Sequence, residues 1–407
     1  MNNKDTAFPM SRRWLIFASV FFVGFVATFN MFKAPPLFPA IIPDLGFTDA
    51  TIGWVMSMFS IIGVILAFPA GAILQKIGIK TSLIITAASL AIGSTIGGMA
   101  TDVPLMLFSR FIEGIGMGLI SVIGPTATAS VIPRVKQGLA MGIWSIWFPA
   151  GAVAAFNISP ALLNAFGWQS AWWAASILAV VAFVFVFAVY AQPPQDAAPT
   201  QDASGIAKSV SLKPDVRSII FVSLAFMMWS IFNAGAIAGF YPTFLQQVHE
   251  LDPQLAGFIA SITNILVLFF GPLSGFLSDK FGARKSLMVF AFAGASILLT
   301  FAFSSSLTLV WIFVIALAIF SAACPTGVFA LIPRLAKDPT KIGMGMASVT
   351  FFQNIGIIIG SVAFGPLVAS FGWETASLVF CVPVALLGLV LSLLIRGNKK
   401  QGINHQN

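Results

Sequence analysis

The sequence predicts an all-α membrane protein whose twelve transmembrane helices form two pseudo-symmetric six-helix bundles. Three observations predict this fold class. Of the 407 residues, 58% are hydrophobic and only 8% are charged, whereas soluble domains carry about 25% charged residues. Apolar runs of about twenty residues, long enough to span a bilayer, recur along the whole chain. The second half of the chain also repeats short motifs of the first half.

Each apolar run defines one expected helix, and we number these spans 1 to 12 in chain order. The stretch 192–215, QPPQDAAPTQDASGIAKSVSLKPD, is rich in Pro, Ala, Ser and Asp and lacks apolar periodicity. It is predicted to be a flexible cytoplasmic linker between an N-terminal bundle (1–191) and a C-terminal bundle (216–407). The expected spans are 14–40, 52–75, 81–100, 104–130, 137–164, 168–191, 216–246, 254–278, 286–304, 307–331, 342–369 and 374–395.

The Lys and Arg residues predict the orientation of the chain. With the N-terminus in the cytoplasm, all but two of the 21 Lys and Arg residues lie in cytoplasmic segments. The two exceptions, Lys33 and Arg110, lie within spans, so the positive-inside rule is obeyed throughout. We expect a multi-pass protein of the cell (inner) membrane with both termini in the cytoplasm, its first span retained and not cleaved as a signal peptide. The net charge of +8 therefore sets topology and indicates no nucleic-acid partner.

The two halves share four motifs in the same order and at nearly constant spacing, which chance rarely produces. Six helices return the chain to the side where it started, so the two copies have parallel topology. They should be related by an axis along the membrane normal. The matching pairs are GAILQKIGIKTS (71–82) with GFLSDKFGARKS (275–286), GPTATASVIPR (124–134) with CPTGVFALIPR (324–334), AFGWQSA (165–171) with SFGWETA (370–376), and Phe29-Asn30 with Phe232-Asn233.

These motifs resemble the major facilitator superfamily, over essentially the whole chain. The stretch 275–286 is similar to the family signature Gly-x-Leu-x-Asp-Arg-x-Gly-Arg-Lys, whereas the copy at 71–82 has Gln75 where the family usually has Asp. RFIEGIGMG in span 4 resembles the family element Arg-x-x-Gln-Gly-x-Gly, with Glu113 in place of Gln. The resemblance implies a transporter that works by rocking of two halves around a central site. Within the superfamily, FNMFKAPP, GIGMGLI and MGIWS resemble the cyanate permease group of anion carriers.

The charged loop between spans 8 and 9 has two interpretations. One is a solvated determinant of topology. The other, implied by the resemblance and favoured by the glycine-rich frame where two helix ends meet, is a cytoplasmic gate that latches one conformation. The residues of this expected gate are Gly275, Asp279, Gly282, Arg284 and Lys285.

Apart from Arg217 and Glu374 at the first residues of two spans, only three charged residues fall within spans: Lys33, Arg110 and Glu113. Lys33 in span 1 and Arg110 in span 4 are expected at a similar depth, roughly 9–15 Å below the outer boundary. Asn30 and Glu113 each lie three residues deeper, on the same helix faces as Lys33 and Arg110. In the family's architecture, helices 1, 4, 7 and 10 line the central pathway. The resemblance therefore implies that these four side chains meet.

A charge at mid-bilayer costs about 2.5–3.5 kcal/mol on insertion scales, so it normally faces a partner or water. One interpretation is that Lys33 and Arg110 snorkel to the outer headgroups. A second is a purely structural bridge of Lys33, Glu113 and Arg110. The third is an anion site, because two cations and one carboxylate leave one positive charge, suited to a small monoanion. On this third hypothesis Lys33, Asn30 and Arg110 bind substrate and Glu113 carries the coupled proton.

The C-terminal half is neutral at the equivalent positions, which are Ala236, Val310 and Phe313. Asn233 in span 7 is the best candidate there for a neutral substrate contact, with an interhelical hydrogen bond as the alternative. Three other amide side chains are expected to form hydrogen bonds between helices and are not assigned to the site: Asn264, Gln353 and Asn354.

The function predicted from these observations is secondary active transport by alternating access, with proton-coupled uptake of a small organic anion such as a monocarboxylate. No nucleotide-binding loop, catalytic triad or metal cluster is found in the sequence, so we expect neither an enzyme nor a cofactor or metal. A proton-coupled multidrug exporter and a transporter-derived sensor without flux are the alternatives. The expected partners are the anionic substrate, protons and membrane lipid, and the expected state is a monomer.

Overall fold

The computed structural model describes residues 8–191, 215–281, 284–336 and 339–395, and every regular element in these ranges is helical. A short 3₁₀ turn (Pro35–Leu37) and two π-helical segments (Ile231–Ile237 and Ser377–Cys381) interrupt the α-helices. The α-helices are α1 (Met10–Phe32), α2 (Phe38–Leu45), α3 (Trp54–Leu66), α4 (Pro69–Gly98), α5 (Val103–Val131), α6 (Arg134–Trp144), α7 (Trp147–Phe166), α8 (Gln169–Val189), α9 (Val216–Ser230), α10 (Ala238–Val248), α11 (Pro253–Phe281), α12 (Arg284–Leu298), α13 (Leu307–Ala336), α14 (Pro339–Phe371), α15 (Trp373–Ala376) and α16 (Val382–Leu394).

The twelve predicted spans are recovered in the described part of the chain. Ten helical segments there are long and apolar enough to cross a membrane. Span 2 consists of the shorter α3 and the first turns of α4, and span 9 is α12. Within α4 the backbone leaves helical geometry at Gly78 (φ 79°, ψ 167°), which separates the end of span 2 from span 3. Glycine accepts this positive φ because it has no Cβ.

Span 1 is broken in the last third of the predicted helix. The sequence predicted one continuous helix over 14–40, whereas α1 ends at Phe32 and Lys33 is its C-terminal capping residue. Pro35 and Pro36 follow within the 3₁₀ turn. Proline has no N–H to donate and its ring clashes with the preceding turn, so the α-helix cannot continue through this pair. The Lys33 side chain at this break is fully buried inside the bundle.

The internal repeat of the sequence is also present in the backbone and in side-chain contacts. Gly167 and Gly372, from the paired motifs AFGWQSA and SFGWETA, have nearly the same conformation (φ 84°, ψ 165° and φ 76°, ψ 169°). Lys80 Nζ donates to the carbonyl of Phe187 at 3.1 Å, and Lys285 Nζ donates to the carbonyl of Leu393 at 2.8 Å. Each lysine thus binds the last turn of the final helix in its own half.

The two halves meet mainly at one end of the molecule. We call the end that holds the start of α1 and the end of α16 the terminal end, and the other the opposite end. At the opposite end Ser57 Oγ lies 2.8 Å from Ser361 Oγ, and Asn157 Nδ2 donates to Ser261 Oγ at 3.1 Å. Every hydrogen bond that joins the halves through described residues lies at this end.

Glycines show the same asymmetry. A Cβ added to Gly53 would collide with the carbonyl of Ser361, and one added to Gly257 would collide with the carbonyl of Phe156. Toward the terminal end, several glycines on spans 2, 5, 8 and 11 have no atom from elsewhere in the chain within 4 Å of an added Cβ. These are Gly71, Gly138, Gly142, Gly271, Gly275 and Gly343. The halves therefore close against each other at the opposite end and stay in contact as far as Phe68 and Phe351, whose ring centroids lie 5.5 Å apart. They diverge beyond this pair, toward the terminal end.

Candidate functional site

Lys33 has all three of its donors occupied inside the N-terminal half. Its Nζ donates to Glu113 Oε1 at 2.6 Å, to Asn30 Oδ1 at 2.7 Å and to Ser94 Oγ at 2.9 Å. Nζ also lies 4.9 Å from the ring centroid of Trp172, a cation–π distance. An ammonium group has three N–H bonds, so in this conformation none is left for a further ligand.

Arg110 is held in the same way by the backbone of the first two spans. Its Nη1 donates to Glu113 Oε2 and to the carbonyl of Asn30 at 2.8 Å. Nη2 donates to the carbonyl of Met31 at 3.2 Å, and Nε donates to that of Val55 at 3.1 Å. These contacts explain how the chain accommodates the carbonyls exposed where α1 ends, since broken helices leave acceptors without intrahelical partners.

We call Asn30, Lys33, Ser94, Arg110 and Glu113 the charged cluster. Each of its five residues is fully buried, with 0% exposure. Glu113 bridges the two cations with different oxygens, so with Glu113 ionised the cluster carries one positive charge. Burial of both cations, with their donors directed inward, excludes snorkelling to the headgroups in this conformation. The predicted meeting of Asn30, Lys33, Arg110 and Glu113 occurs.

Span 3 contributes a member that the sequence reasoning missed. Ser94 Oγ lies 2.8 Å from Glu113 Oε1 and 2.6 Å from Asn30 Oδ1. Span 3 approaches span 4 closely because Gly93 and Gly97 have no side chains: an added Cβ on Gly93 would lie 2.6 Å from Glu113 Cγ. Small residues four apart are a known signal of close helix packing in membranes. The sequence GSTIG (93–97) carries that signal and could have directed attention to Ser94.

Asn233 does not join the charged cluster. It lies in the π-helical segment of span 7, and its Oδ1 accepts a hydrogen bond from Ser321 Oγ at 3.4 Å. The second-half positions Ala236, Val310 and Phe313 are fully buried. Phe313 packs on Tyr241, with ring centroids 5.3 Å apart. The charges of the two halves are thus as asymmetric in the structure as in the sequence.

The expected gate is only partly within the described structure. Gly282 lies outside the described residues, and so does the side chain of Asp279. Lys285 donates to the carbonyls of Leu393 and Ile395 at 2.8 and 2.7 Å. Gly275 lies in open space at the terminal end, and Arg284 begins α12. In this conformation Lys285 therefore stabilises the end of α16.

A small cavity of about 60 Å³ lies between the halves, beside the charged cluster. Met31 and Phe59 form part of its wall, and both also contact Arg110 from behind. The Arg110 guanidinium carbon lies 4.4 Å from the centroid of the Phe59 ring. Spans 1, 4 and 7, which the family resemblance implied, contribute to the cavity wall, as do spans 2, 5 and 11. Of the five polar residues that line the cavity, three come from span 11, one from span 2 and one from span 4. They are Ser60, Ser121, Thr350, Gln353 and Asn354.

A twelve-span helical bundle built from two repeated halves, with a buried ionic cluster and a cavity between the halves, defines a multi-pass membrane transporter and not an enzyme. The family model described as Major Facilitator Superfamily matches residues 20–252 and again 222–406. The chain belongs to this superfamily.

Sequence relatives are transporters of different small molecules. The chain is 28% identical over 318 residues, 77% of its length, to a Staphylococcus carnosus protein described as "Probable nitrate transporter NarT", of which 79% is covered. It is 20% identical over 411 residues to the riboflavin transporter RibZ of Clostridioides difficile, covering 88% of this chain and 89% of that protein.

Solved structures match the fold over almost the whole chain. The crystal structure of a D-xylose-proton symporter superposes with a TM-score of 0.77 at 17% sequence identity, covering 95% of this chain and 98% of the symporter. A bacterial homologue of the human lysosomal transporter Spinster gives a TM-score of 0.73 at 16% identity, covering 95% of this chain and 97% of that one. These similarities show the fold.

Proposed function

We propose that the protein is a secondary transporter that takes up a small monovalent anion together with a proton across the cell membrane, with its terminal end in the cytoplasm. The observation that supports this proposal best is the charged cluster. It buries two cations and one carboxylate and so keeps one positive charge in the membrane interior. Such a charge is costly there and is typical of a substrate or ion pathway.

Glu113 couples the proton to the anion in this proposal. While Glu113 is ionised, it holds both Lys33 and Arg110, and Lys33 has no donor left. When Glu113 takes up a proton, its attraction for both cations falls and the cluster gains a second positive charge. The cations then attract an anion more strongly. Because the linkage is reciprocal, a bound anion also favours the protonated form of Glu113.

The anion would be bound by Lys33 and Arg110 once Glu113 is protonated, with Asn30 as a neutral contact beside them. Asn233 is proposed as a contact from the opposite half that is reached as the halves move. A monoanion that arrives together with the proton leaves the cluster with the same single positive charge that it has when Glu113 is ionised. Ammonium and guanidinium groups pair well with an anion that has two or three oxygens. A short monocarboxylate and nitrate both fit this description, and the name of the S. carnosus relative refers to nitrate.

The conformation agrees with one state of an alternating-access cycle. With the terminal end in the cytoplasm, contacts such as Ser57 with Ser361 seal the outer face. The cytoplasmic face is the side toward which the halves diverge. The positive-inside distribution of Lys and Arg supports this orientation.

The experiment uses purified protein in liposomes that contain a pH dye. Small anions are added outside wild type, Lys33→Ala, Glu113→Gln and the control Glu250→Gln, an exposed carboxylate at the opposite end. We expect anion-dependent acidification in wild type and control, its loss in Lys33→Ala, and loss of proton movement in Glu113→Gln. If no anion acidifies the lumen, or if only lipophilic cations drive alkalinisation, anion–proton symport is wrong.

A further inference from the structure

We propose that the cavity between the halves is an uncharged anion-binding subsite in front of the charged cluster. In this subsite Ser60 and Gln353 donate hydrogen bonds to the anion, and Phe59 separates it from Arg110. This inference rests on the proposed anion transport. It adds the residues that donate hydrogen bonds to the anion in this cavity, a limit on the size of the anion, and the residue that separates the anion from Arg110. The anion is a monovalent ion of the size of nitrate or a short carboxylate.

Two of the polar groups that line the cavity have no partner in the described part of the protein. Ser60 is 1% exposed and its hydroxyl is buried without a hydrogen bond. The half-buried amide of Gln353 makes no hydrogen bond to any described residue. Buried polar groups are nearly always paired, and leaving one unpaired costs about 1–3 kcal/mol. The two groups lie on spans 2 and 11, one in each half, so a ligand between them would touch both halves.

Other polar residues of the same cavity already have partners. Ser121 Oγ donates to the carbonyl of Gly118 at 3.0 Å, and Asn354 Nδ2 donates to the carbonyl of Thr350 at 2.8 Å. The Ser121 hydroxyl and one of the two N–H donors of the Asn354 amide are therefore used within their own helices. Ser60 and Gln353 lie on opposite halves, and neither side chain makes a hydrogen bond to a described residue. The hydroxyl of Thr350, one turn before Gln353 on span 11, also makes none and lies on the Gln353 side of the cavity.

The charge that attracts the anion lies just behind the cavity wall. Arg110 binds the carbonyl of Met31 and stacks on Phe59, and both residues line the cavity. The cluster is therefore one side chain away from the ligand. Electrostatic attraction is strong across such a short, weakly polarisable gap. The anion can thus be drawn to the cavity by a charge that it does not touch.

The size of the cavity limits the ligand. The cavity has a volume of about 60 Å³, and one water molecule needs roughly 10–15 Å³. The cavity therefore admits a ligand of about four to six non-hydrogen atoms. Nitrate, formate and acetate fit, whereas benzoate does not. Phe59 is 1% exposed, so its removal would enlarge the cavity toward Arg110.

The first test compares the concentration dependence of nitrate- and acetate-driven proton flux in liposomes. Ser60→Ala and Gln353→Leu should each raise KM for the anion about tenfold, the loss expected of one hydrogen bond to a charged ligand. Ser145→Ala, an exposed serine outside the cavity whose hydroxyl donates to the carbonyl of Gly142 at 2.7 Å, is the matched control and should leave KM unchanged. Gln353→Glu keeps the size of the side chain and adds a negative charge, so it should weaken anion binding further.

The second test uses Phe59→Ala with benzoate. We expect benzoate-driven flux in this variant and none in wild type. Wild-type flux with unchanged KM in Ser60→Ala, Gln353→Leu and Gln353→Glu overturns the subsite and leaves anion transport standing. Absence of wild-type flux with every anion overturns both. Benzoate transport by wild type would contradict the size limit.

Discussion

Lys33 Nζ lies 2.6 Å from Glu113 Oε1, and neither side chain has any exposed surface. The same carboxylate binds Arg110 through its other oxygen. Glu113 is therefore the sole negative charge that balances two buried cations in the cluster. This arrangement makes the three charged residues unequal in their effect on stability.

We expect Glu113→Ala to destabilise the protein far more than Lys33→Met. Removing Glu113 leaves two buried cations without a counter-charge, and breaking a buried pair in this way costs about 3–5 kcal/mol. Removing Lys33 leaves the Arg110–Glu113 pair, which is neutral overall and still hydrogen-bonded. Thermal unfolding of the purified variants in detergent measures the difference. A smaller loss in Glu113→Ala than in Lys33→Met would show that the carboxylate does not hold the cluster together.

Gly93→Ala should loosen the cluster without touching a charged side chain. The new Cβ would lie 2.6 Å from Glu113 Cγ and 2.8 Å from the Glu113 backbone nitrogen. The second of these atoms cannot rotate away, and overpacking of this kind costs about 1–3 kcal/mol. Unfolding temperature and anion-dependent proton flux should both fall.

The matched control is Gly138→Ala, at a helical position where an added Cβ meets no other atom within 4 Å. Alanine is favoured over glycine in helices by about 1 kcal/mol, so this variant should be as stable as wild type or more stable. Equal losses in the two variants would mean that the helix itself, and not the contact with Glu113, determines the effect.

The sequence predicted the fold closely because the bilayer imposes one strong rule on it. Spans of fixed length, positive charges on one side and a repeated pair of halves follow from hydropathy and charge placement alone. Breaks inside spans were harder to predict. The pair Pro35-Pro36 signals the end of α1, but nothing comparable in the sequence marks the π-helical segment Ile231–Ile237.

Four of the five residues of the charged cluster were predicted from the sequence, and Ser94 was not. Charges are rare in spans, so Lys33, Arg110 and Glu113 stood out. Ser94 did not, because serine is common in membrane helices and its role depends on how closely span 3 approaches. The Gln353 amide was expected to form a hydrogen bond between helices. The structure instead places it beside a cavity, without a hydrogen bond to any described residue. Contacts between the halves are set by packing geometry that a single sequence does not reveal.

Lys285→Met should weaken the attachment of α16. Lys285 Nζ donates to the carbonyls of Leu393 and Ile395, and a cation at a helix C-terminus stabilises it by roughly 0.3–1 kcal/mol. We expect a small fall in unfolding temperature, also in Lys80→Met, where the contact is with the carbonyl of Phe187. Lys136→Met, at an exposed position, is the control.

The same variants test the predicted gate at the loop between spans 8 and 9. If Lys285 only anchors α16, Lys285→Met and Lys80→Met will change stability alike and leave the transport rate of the folded protein intact. A selective loss of transport in Lys285→Met, at equal stability, would support the gate. Flux per folded molecule separates the two effects.

Gly53→Ala should shift the protein away from the observed conformation. A Cβ at this position would collide with the backbone carbonyl of Ser361 across the two halves, and a backbone atom cannot move aside by changing a rotamer. The state in which the opposite end is closed therefore loses stability relative to the state in which that end opens. A ligand or mutation shifts such an equilibrium by its differential effect on the two states.

Spin labels at Thr48→Cys and Asp252→Cys, exposed positions of different halves at the opposite end, measure this shift. The background replaces the two buried cysteines, Cys324 and Cys381, by alanine. We expect Gly53→Ala to populate longer distances between the labels, whereas Gly142→Ala, at a glycine in open space, leaves the distribution unchanged. An unaltered distribution in Gly53→Ala, in protein that remains folded, would show that this contact does not control closure of the opposite end.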